Sequence, residues 1–448
     1  MKLDTRGSGA RGGREKAVLL GLHLPRDPKT YDAPLEELAR LADTAGVDVL
    51  ERVVQNRPKA DASTWIGSGK AAEVGGLAKG LGADLVIVDS DLAPAQSRNL
   101  EELMGLRVVD RTELILDIFA VRARSAEARA QVELAQMEYS LPRLKRLWTH
   151  LNREVASGKA GVGLRGPGER QLEIDRRLVR LRIRDLRRDL EDMQARRERR
   201  AEARGKFFNL ALVGYTNAGK STLMRRLTGA EVLVEDRLFA TLDTTTRAWD
   251  VRKDRRVFLS DTVGFIRDLP HHLVASFLTT LEEARRADLL LHVIDAGDPD
   301  ALAHVEVVEE TLSRIGAGGV PRLAILNQVD RVTDPFGLRV LTERLPGAIP
   351  VSAITGQGLD LLAEAVVEAS SRRTSDVVVE ADAGNGRLLA RLREWGEVKE
   401  ITFPDGIARV AMRLAPRHFE NVRRDGGRLL DEDGRTIPET ERFGKPKT

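Results

Sequence analysis

The sequence predicts a multidomain α/β protein, and three patterns support this fold class. Short apolar runs alternate with amphipathic stretches in two parts of the chain, and two apolar seams at heptad spacing lie between those parts. In the second part, an apolar run at 210–213 leads directly into a loop bounded by two glycines. Alternating strands and helices are typical of parallel sheets covered by helices. The 448 residues are enough for about three domains with sizeable cores.

The composition excludes several classes of protein. Hydrophobic residues make up 42% of the chain and charged residues 31%, as in ordinary globular proteins. No apolar run approaches the ~20 residues that span a bilayer, and the basic segment 1–16 lacks the apolar core of a signal peptide. The absence of cysteine excludes disulfides and thiolate metal sites. We expect a cytoplasmic protein that has no membrane span and acts as a monomer.

The patterns divide the chain into five segments. Residues 1–16 are predicted to be a disordered leader, and residues 17–125 an N-terminal α/β domain. Residues 126–206 are predicted to form an antiparallel helical hairpin, and residues 207–372 a doubly wound α/β domain around the glycine-bounded loop. Residues 373–448 are predicted to be a small α+β domain with a polar, poorly ordered tail from Asp425.

The N-terminal domain contains a turn that resembles half of a phosphate loop. Its sequence is Gly67-Ser68-Gly69-Lys70, and it precedes a predicted helix, whose N-terminus attracts anions. The turn lacks a first glycine at the required spacing and has Ala71 where Mg²⁺ needs a hydroxyl. A structural turn is therefore favoured over a second nucleotide site.

The helical hairpin is predicted from two seams whose apolar residues are spaced alternately four and three apart. The first seam consists of Ala130, Leu134, Met137, Leu141, Leu144 and Trp148, and the second of Val179, Ile183, Leu186, Leu190 and Met193. Pro142 is expected to kink the first helix. The connection at 157–173 is rich in glycine and arginine, so we expect a flexible loop.

Basic charge is concentrated around this hairpin. Residues 143–204 carry 19 Lys/Arg and 10 Asp/Glu, a net +9, so the rest of the chain carries 3 − 9 = −6. The distribution suggests a polyanionic partner such as RNA, although a solvated helical face and a disordered tip remain alternatives. The candidate partner-binding residues of the loop are Lys159, Arg165, Gly166, Gly168 and Arg170.

The glycine-bounded loop has the spacing of a phosphate cradle. Its residues are Gly214, Tyr215, Thr216, Asn217, Ala218, Gly219, Lys220, Ser221 and Thr222. The backbone N–H groups between the glycines would point at phosphates, Lys220 would bring a cation to the outer phosphates, and Ser221 would offer a hydroxyl to Mg²⁺. A glycine-rich turn without a nucleotide remains the alternative for this motif taken alone.

Two further segments are predicted to sense the terminal phosphate. The polar segment 241–247 reads as a loop, in which Thr245 is the candidate that completes the Mg²⁺ shell. A strand at 257–261 ends in Asp261, which would hold Mg²⁺ through water, and Gly264 would donate its N–H to the γ-phosphate. Lys220, Thr245 and Gly264 are therefore the candidate catalytic residues.

Two later strand ends complete the candidate nucleotide site. The first carries Asn327, Gln328 and Asp330, and the second carries Ser352, Ala353 and Ile354. Asp330 could accept both N–H groups of guanine, whereas adenine offers no matching pair of donors. Asn327 would brace the loops, and the Ala353 N–H would meet the base carbonyl. Four motifs in this order predict a guanine site.

The chain resembles the HflX family, in the Obg-HflX-like group of translation-factor-class P-loop GTPases. The resemblance rests on GPGERQLE at 166–173, FATLD at 239–243 and WIGSGK at 65–70. It implies an Mg²⁺-dependent GTPase (GTP and water to GDP and phosphate) that binds the large ribosomal subunit. It further implies that the hairpin loop reaches toward the peptidyl-transferase centre and that the protein splits stalled or stressed ribosomes.

The sequence departs from related patterns at several positions. Thr244 stands where the family usually has proline. Gln328 replaces the usual lysine of the guanine motif and cannot supply its cation, so we expect somewhat weaker nucleotide binding. Phe265 stands where Ras-like enzymes place a water-orienting glutamine, which predicts slow intrinsic hydrolysis. Asn217 resembles the residue of GTPases that bind K⁺ beside the phosphates, but asparagine also suits a tight turn.

Two other functions remain open from the sequence. One is an ATP-driven RNA or ribosome remodeller that uses the turn at Gly67 to Lys70. The other is a nucleotide-gated assembly factor that binds ribosomal precursors.

Overall fold

Three β-sheets and a helical segment organise the residues that the computed structural model describes. These residues are 14–25, 35–144, 167–203, 207–229, 238–239, 242, 245–252, 255–267, 278–332, 335–372, 375–415, 418–431 and 434–437. The sheets have four, six and four strands. The predicted multidomain α/β class is confirmed.

The N-terminal sheet has the strand order β2-β1-β3-β4, and all its strand pairs are parallel. Its strands are β1 (Glu15–His23), β2 (Val47–Asn56), β3 (Leu85–Val88) and β4 (Arg107–Asp110), and its helices are α1 (Glu36–Ala45), α2 (Ser68–Leu81), α3 (Pro94–Met104) and α4 (Arg111–Arg122). All four residues of β3 are buried, as expected for a strand covered on both faces. β1 begins at Glu15, inside the segment predicted to be a disordered leader.

The turn at Gly67 to Lys70 forms the start of α2. Gly67 is the N-cap residue of that helix, and Lys70 pairs with Glu73 one turn later, at 2.6 Å. This arrangement favours the structural turn.

The two heptad seams pack against each other. The first lies on α5 (Ala126–Ser140) and on a 3₁₀ turn (Leu141–Arg143), and the second lies on α6 (Pro167–Ala203). Leu134, Ile183 and Leu186 form the buried centre of their contact. Two ion pairs flank it, Glu133 with Arg182 and Glu138 with Arg187, each at 2.7 Å. Each pair joins equivalent heptad positions, which is the pattern of antiparallel helices.

Two details of the hairpin prediction change. The α-helix ends at Ser140 and gives way to the 3₁₀ turn that contains Pro142, as expected from a ring that removes a backbone donor. The loop prediction for 157–173 is wrong from Pro167 onward, because α6 begins there. Proline is favoured in the first turn of a helix, where its missing N–H has no partner to lose. Gly168 and Arg170 are therefore helical, whereas Lys159, Arg165, Gly166 and Trp148 lie outside the described residues.

The central sheet has the strand order β10-β9-β8-β5-β7-β6, in which only the β6–β7 pair is antiparallel. Its strands are β5 (Phe208–Val213), β6 (Thr245–Arg252), β7 (Arg255–Asp261), β8 (Leu289–Asp295), β9 (Arg322–Asn327) and β10 (Ile349–Pro350). The helices around it are α7 (Lys220–Thr228), α8 (Leu278–Arg286), α9 (Ala301–Arg314), α10 (Pro335–Arg344) and α11 (Leu359–Arg372). The carboxyl ends of the parallel strands bring the predicted motifs to one edge.

The polar segment that contains Thr245 is not a loop throughout. Thr245 opens the edge strand β6 and lies opposite Asp261 of β7 in the register. The loop prediction for Thr245 to Arg247 is therefore wrong. Threonine is common in strands, and pairing with β7 extends strand β6 to Thr245.

The C-terminal sheet is antiparallel, with the order β12-β13-β11-β14. Its strands are β11 (Ser375–Asp382), β12 (Gly396–Thr402), β13 (Ile407–Leu414) and β14 (Arg428–Leu430), and its helices are α12 (Gly386–Trp395) and α13 (Phe419–Arg424). The prediction of a poorly ordered tail from Asp425 is wrong for β14, which pairs with β11 and buries Leu429 and Leu430. No helix in the described part of the chain is long and apolar enough to cross a membrane.

Candidate nucleotide site

The glycine-bounded loop joins the end of β5 to α7, and its two glycines are required by close contacts. Gly214 has φ +151°, and a Cβ atom there would lie 2.2 Å from the carbonyl oxygen of Val293. Gly219 has φ +87°, and its Cβ would lie 2.4 Å from the Asn327 side-chain nitrogen. Asn217 also adopts a left-handed conformation, with φ +64°. Asparagine tolerates that conformation better than most residues, so the turn by itself accounts for an asparagine at this position.

Lys220 lies buried inside this loop. Its ammonium donates to the carbonyl oxygens of Gly214 at 3.0 Å and Tyr215 at 2.7 Å. Burial lowers the pKa of Lys220 to about 8, although the nearby carboxylate of Asp261 opposes that shift. The loop therefore holds a cation whose protonation is sensitive to pH just above neutrality.

Two of the three predicted oxygen ligands for Mg²⁺ are adjacent. Ser221, in the first turn of α7, donates its hydroxyl to a carboxylate oxygen of Asp261 at 2.7 Å. Asp261 is fully buried at the end of β7. A hydroxyl and a carboxylate so placed form the oxygen-rich donor set that Mg²⁺ prefers. Thr222 follows in the same helix, and Thr245 opens the strand beside Asp261.

The segment after Asp261 is hydrogen-bonded directly to the loop. Phe265 accepts from the Thr216 N–H at 2.8 Å and donates its own N–H to Gly214 at 3.1 Å. Gly264 packs against the same loop. A Cβ atom at this position would lie 2.9 Å from the Thr216 Cα and 3.0 Å from the Lys220 ammonium nitrogen. The Phe265 side chain is buried, so its ring cannot present a polar atom to water. A shift of this segment must therefore change the surroundings of Lys220.

The predicted guanine motifs contact the other side of the loop. The side chain of Asn327 donates to the carbonyl of Ala218 at 2.9 Å and accepts from the Ala353 N–H at 3.2 Å, so it links three segments. The Gln328 amide donates to the Asn217 carbonyl at 3.2 Å. Asp330 is exposed, as a carboxylate that recognises a base must be.

The last predicted segment of the guanine side is a turn after β10. Ser352 is buried and accepts from the Thr355 N–H at 3.1 Å, whereas the Ile354 side chain is exposed. The turn places the Ala353 N–H beside Asn327 rather than in solvent. Asn327 and Gln328 are thus hydrogen-bonded to the loop directly, and Ala353 is linked to it through Asn327.

A buried charge network, which the sequence did not predict, joins the N-terminal domain to this loop. Glu37 of α1 and Arg111 of α4 form a buried ion pair, and the Tyr215 hydroxyl donates to the same Glu37. Arg111 also pairs with Asp89 at 2.6 Å, and Arg267 approaches Glu37 to 3.4 Å. Burial opposes ionisation of Glu37, but the guanidiniums of Arg111 and Arg267 outweigh it and lower the pKa of Glu37.

Tyr215 connects this network to the segment after Gly264. Its hydroxyl accepts from the backbone N–H of Arg267 at 3.0 Å, and its ring stacks on His304 at a centroid distance of 3.7 Å. Burial raises the pKa of Tyr215, so the phenol stays protonated and can donate to Glu37. The only signal in the sequence was an aromatic residue inside the glycine-bounded loop.

This combination of fold and site defines a P-loop GTPase. Family models match residues 32–120 as a GTP-binding GTPase N-terminal region, 122–204 as its middle region and 209–328 as a 50S ribosome-binding GTPase. The chain belongs to the GTPase HflX family, so the resemblance inferred from the sequence is confirmed and the protein is a GTP hydrolase.

Individual relatives match most of the chain. GTPase HflX of Escherichia coli (strain K12) is 44% identical over 422 residues, covering 93% of this chain and 97% of that protein. GTPase HflX of Magnetococcus marinus is 44% identical over 408 residues, covering 90% and 93%. A GTP-binding protein of the archaeon Sulfolobus solfataricus, solved with GDP, covers 80% of this chain and 99% of its own at 25% identity, with a TM-score of 0.41.

Proposed function

We propose that this GTPase binds the large ribosomal subunit in the cytoplasm and couples its nucleotide state to the dissociation of stalled or stressed ribosomes. The observation that carries the proposal is a groove along the hairpin, in which four arginines outnumber two glutamates and one arginine, Arg187, is paired with a glutamate. The charged lining residues are Arg180, Arg184, Arg187, Arg188, Glu138 and Glu191. Clustered guanidiniums suit phosphate groups of RNA, because their planar N–H groups can bind two oxygens at once. The family description of a 50S ribosome-binding GTPase points to ribosomal RNA as the polyanion.

The hairpin is physically connected to the nucleotide site. Helix α6 ends at Ala203, shortly before β5 leads into the loop, and Gln194 of α6 donates to Glu282 of α8 at 2.8 Å. A partner that shifts α6 therefore acts on elements that flank the central sheet. This route supports coupling between RNA contact and nucleotide state.

Mg²⁺ is the metal that the site residues suit. Ser221 would ligate it directly and Asp261 through water, with Thr245 of the neighbouring strand at the edge of the shell. When bound, the ion stabilises the charge of the transferring phosphoryl group. Lys220 and the loop N–H groups would stabilise the same charge. Gly264, which has no side chain, lets the segment after Asp261 approach the phosphate loop closely.

The test compares GTP turnover and ribosome profiles with and without ribosomal particles. Because Phe265 cannot orient water, we expect slow hydrolysis by the isolated protein and at least roughly tenfold faster hydrolysis with 50S subunits. On sucrose gradients, the protein with GTP should convert 70S particles into subunits. Fast hydrolysis without subunits contradicts the first part. Binding to 50S precursors without splitting of 70S particles indicates an assembly factor instead.

A matched pair of triple variants tests the groove. Replacing Arg180, Arg184 and Arg188 with glutamine should weaken 50S binding strongly, because each lost phosphate contact removes a released counterion. Replacing Arg314, Arg322 and Arg339 with glutamine, which removes equal charge from the surface of the central domain, should leave 50S binding within a factor of two. Equal losses in the two variants would show that only net charge matters.

We further propose that Asn217 ligates K⁺ beside the β- and γ-phosphates. The left-handed backbone by itself accounts for asparagine, so the test must separate the turn from the ligand. Hydrolysis should be roughly tenfold faster in K⁺ than in Na⁺ at matched ionic strength, because an added cation there would act as an arginine finger does. Asn217→Gly keeps the positive φ and removes the oxygen, so it should abolish the preference for K⁺. Equal rates in both salts would show that Asn217 serves the turn and does not ligate K⁺.

A further inference from the structure

Gln328, which replaces the usual lysine of the guanine motif, keeps a donor on the phosphate loop. Its amide nitrogen donates to the Asn217 carbonyl at 3.2 Å and lies 3.7 Å from the position of a Cβ on Gly219. The backbone at Gln328 is left-handed, with φ +64°, which turns the side chain toward the loop. Gln328 thus donates a hydrogen bond to the loop but carries no positive charge.

Arg331 lies directly against this glutamine. A nitrogen of its guanidinium donates to the Gln328 side-chain oxygen at 2.6 Å, and its backbone N–H donates to the Gln328 carbonyl at 2.9 Å. Residues 329–331 form a 3₁₀ turn, in which residues three apart lie on the same side. The Arg331 side chain also packs beside Gly297, whose Cβ would lie 3.8 Å from the Arg331 Cβ. The local backbone therefore fixes the pair.

Arg331, Gln328 and Asn217 form a chain of hydrogen bonds. It runs from the Arg331 guanidinium through the Gln328 amide to the Asn217 carbonyl. A charged donor on an amide oxygen polarises the amide, so its N–H becomes a stronger donor. This chain thereby orients the Gln328 amide on the Asn217 carbonyl of the phosphate loop. A lysine would combine the same donor and the same charge in one side chain.

We propose that Arg331 is a positioning residue for the guanine nucleotide. It holds the Gln328 amide on the phosphate loop and supplies the positive charge that Gln328 lacks at the base side of the site. The proposal rests on the assignment of Asn327, Gln328 and Asp330 to guanine recognition. It revises the expectation from the sequence, because the loss of the lysine charge is compensated within the same turn.

The test is a cycle of binding measurements with a fluorescent GDP analogue. Arg331→Ala should weaken binding roughly tenfold when Gln328 is present, because a charge-assisted contact is lost. Starting from Gln328→Lys, the same change should alter binding less than twofold, since lysine supplies both donor and charge. Arg331→Lys should restore part of the affinity. Arg339→Ala removes an exposed arginine that pairs with Glu343, and it should have no effect.

The remaining outcomes decide the proposal. Equal losses from Arg331→Ala in both backgrounds would show a merely structural role, and no loss with Gln328 present would also overturn the proposal. Thermal unfolding of each variant should match that of the unmodified protein within a few degrees. Asp330→Ala tests the underlying assignment separately, because it should abolish GDP binding whatever occupies position 331. Retained binding in that variant would overturn the guanine site itself.

Discussion

Replacing Lys220 with alanine is expected to lower the rate of GTP hydrolysis by about 10²–10³-fold, the usual cost of removing one preorganised donor to transition-state charge. The ammonium is buried and donates to the Gly214 and Tyr215 carbonyls, so the loop holds this cation in place and alanine leaves no charge there. The measurement is phosphate release at saturating GTP with 50S subunits present. A variant that retains native turnover would remove Lys220 from the mechanism.

The matched control is Lys70→Ala. Lys70 also follows a glycine near a helix N-terminus, but it is paired with Glu73 on the surface of the N-terminal domain. Its removal should leave GTP hydrolysis unchanged. ATP hydrolysis that survives Lys220→Ala and is lost in Lys70→Ala would support the ATP-driven alternative.

The same lysine predicts a pH dependence. Burial lowers the pKa of Lys220 to about 8, so the cation is present below that pH and is lost as the pH rises above it. Because kcat/KM reports the protonation of the free enzyme, it should fall by up to about tenfold per pH unit above pH 8. A flat profile between pH 7 and 9.5 would contradict the assignment.

Features encoded by short segments could be predicted from the sequence. The buried strand at Leu210 to Val213 and the glycines beside it are local signals, because the apolar run and the required φ angles depend on adjacent residues. The same holds for the heptad seams, whose spacing alone identifies the faces that pack. Asp261 and Asn327 lie at one edge of the sheet because the carboxyl ends of parallel strands lie at the same edge.

Features that depend on tertiary contacts could not be predicted. Thr245 lies in a strand because it pairs with Asp261 of β7, and its local sequence does not identify that partner. The bond between Tyr215 and Glu37 spans 178 residues, so no sequence window contains both partners. Arg331 lies just outside the usual positions of the guanine motif, so the motif alone does not predict its hydrogen bond to Gln328.

Replacing Arg111 with alanine is expected to lower the free energy of unfolding by about 3–5 kcal/mol, the usual cost of leaving a buried charge without its partner. Arg111 is almost completely buried and neutralises both Glu37 and Asp89, and it donates to the backbone carbonyl of Arg267 at 3.2 Å. Its loss removes the ion pair of Asp89 and leaves Glu37 with the longer contact to Arg267 and the bond from Tyr215, at the contact between the N-terminal domain and the segment that follows Gly264. Urea unfolding monitored by circular dichroism measures the effect.

Arg107→Ala is the control, because Arg107 pairs with Glu113 of the same domain at 3.0 Å but is about two-fifths exposed. A surface pair of this kind contributes about 0–1 kcal/mol, so its loss should be small. Combining Glu37→Ala of the N-terminal domain with Tyr215→Phe of the phosphate loop should cost less than the sum of the single changes, since each change removes the partner that the other leaves without its hydrogen bond. Additive losses, or equal midpoints for Arg111→Ala and Arg107→Ala, would show that the network does not join the two domains. A non-additive result would mean that the N-terminal domain stabilises Tyr215 and Arg267, and with them the segments on either side of the phosphate loop.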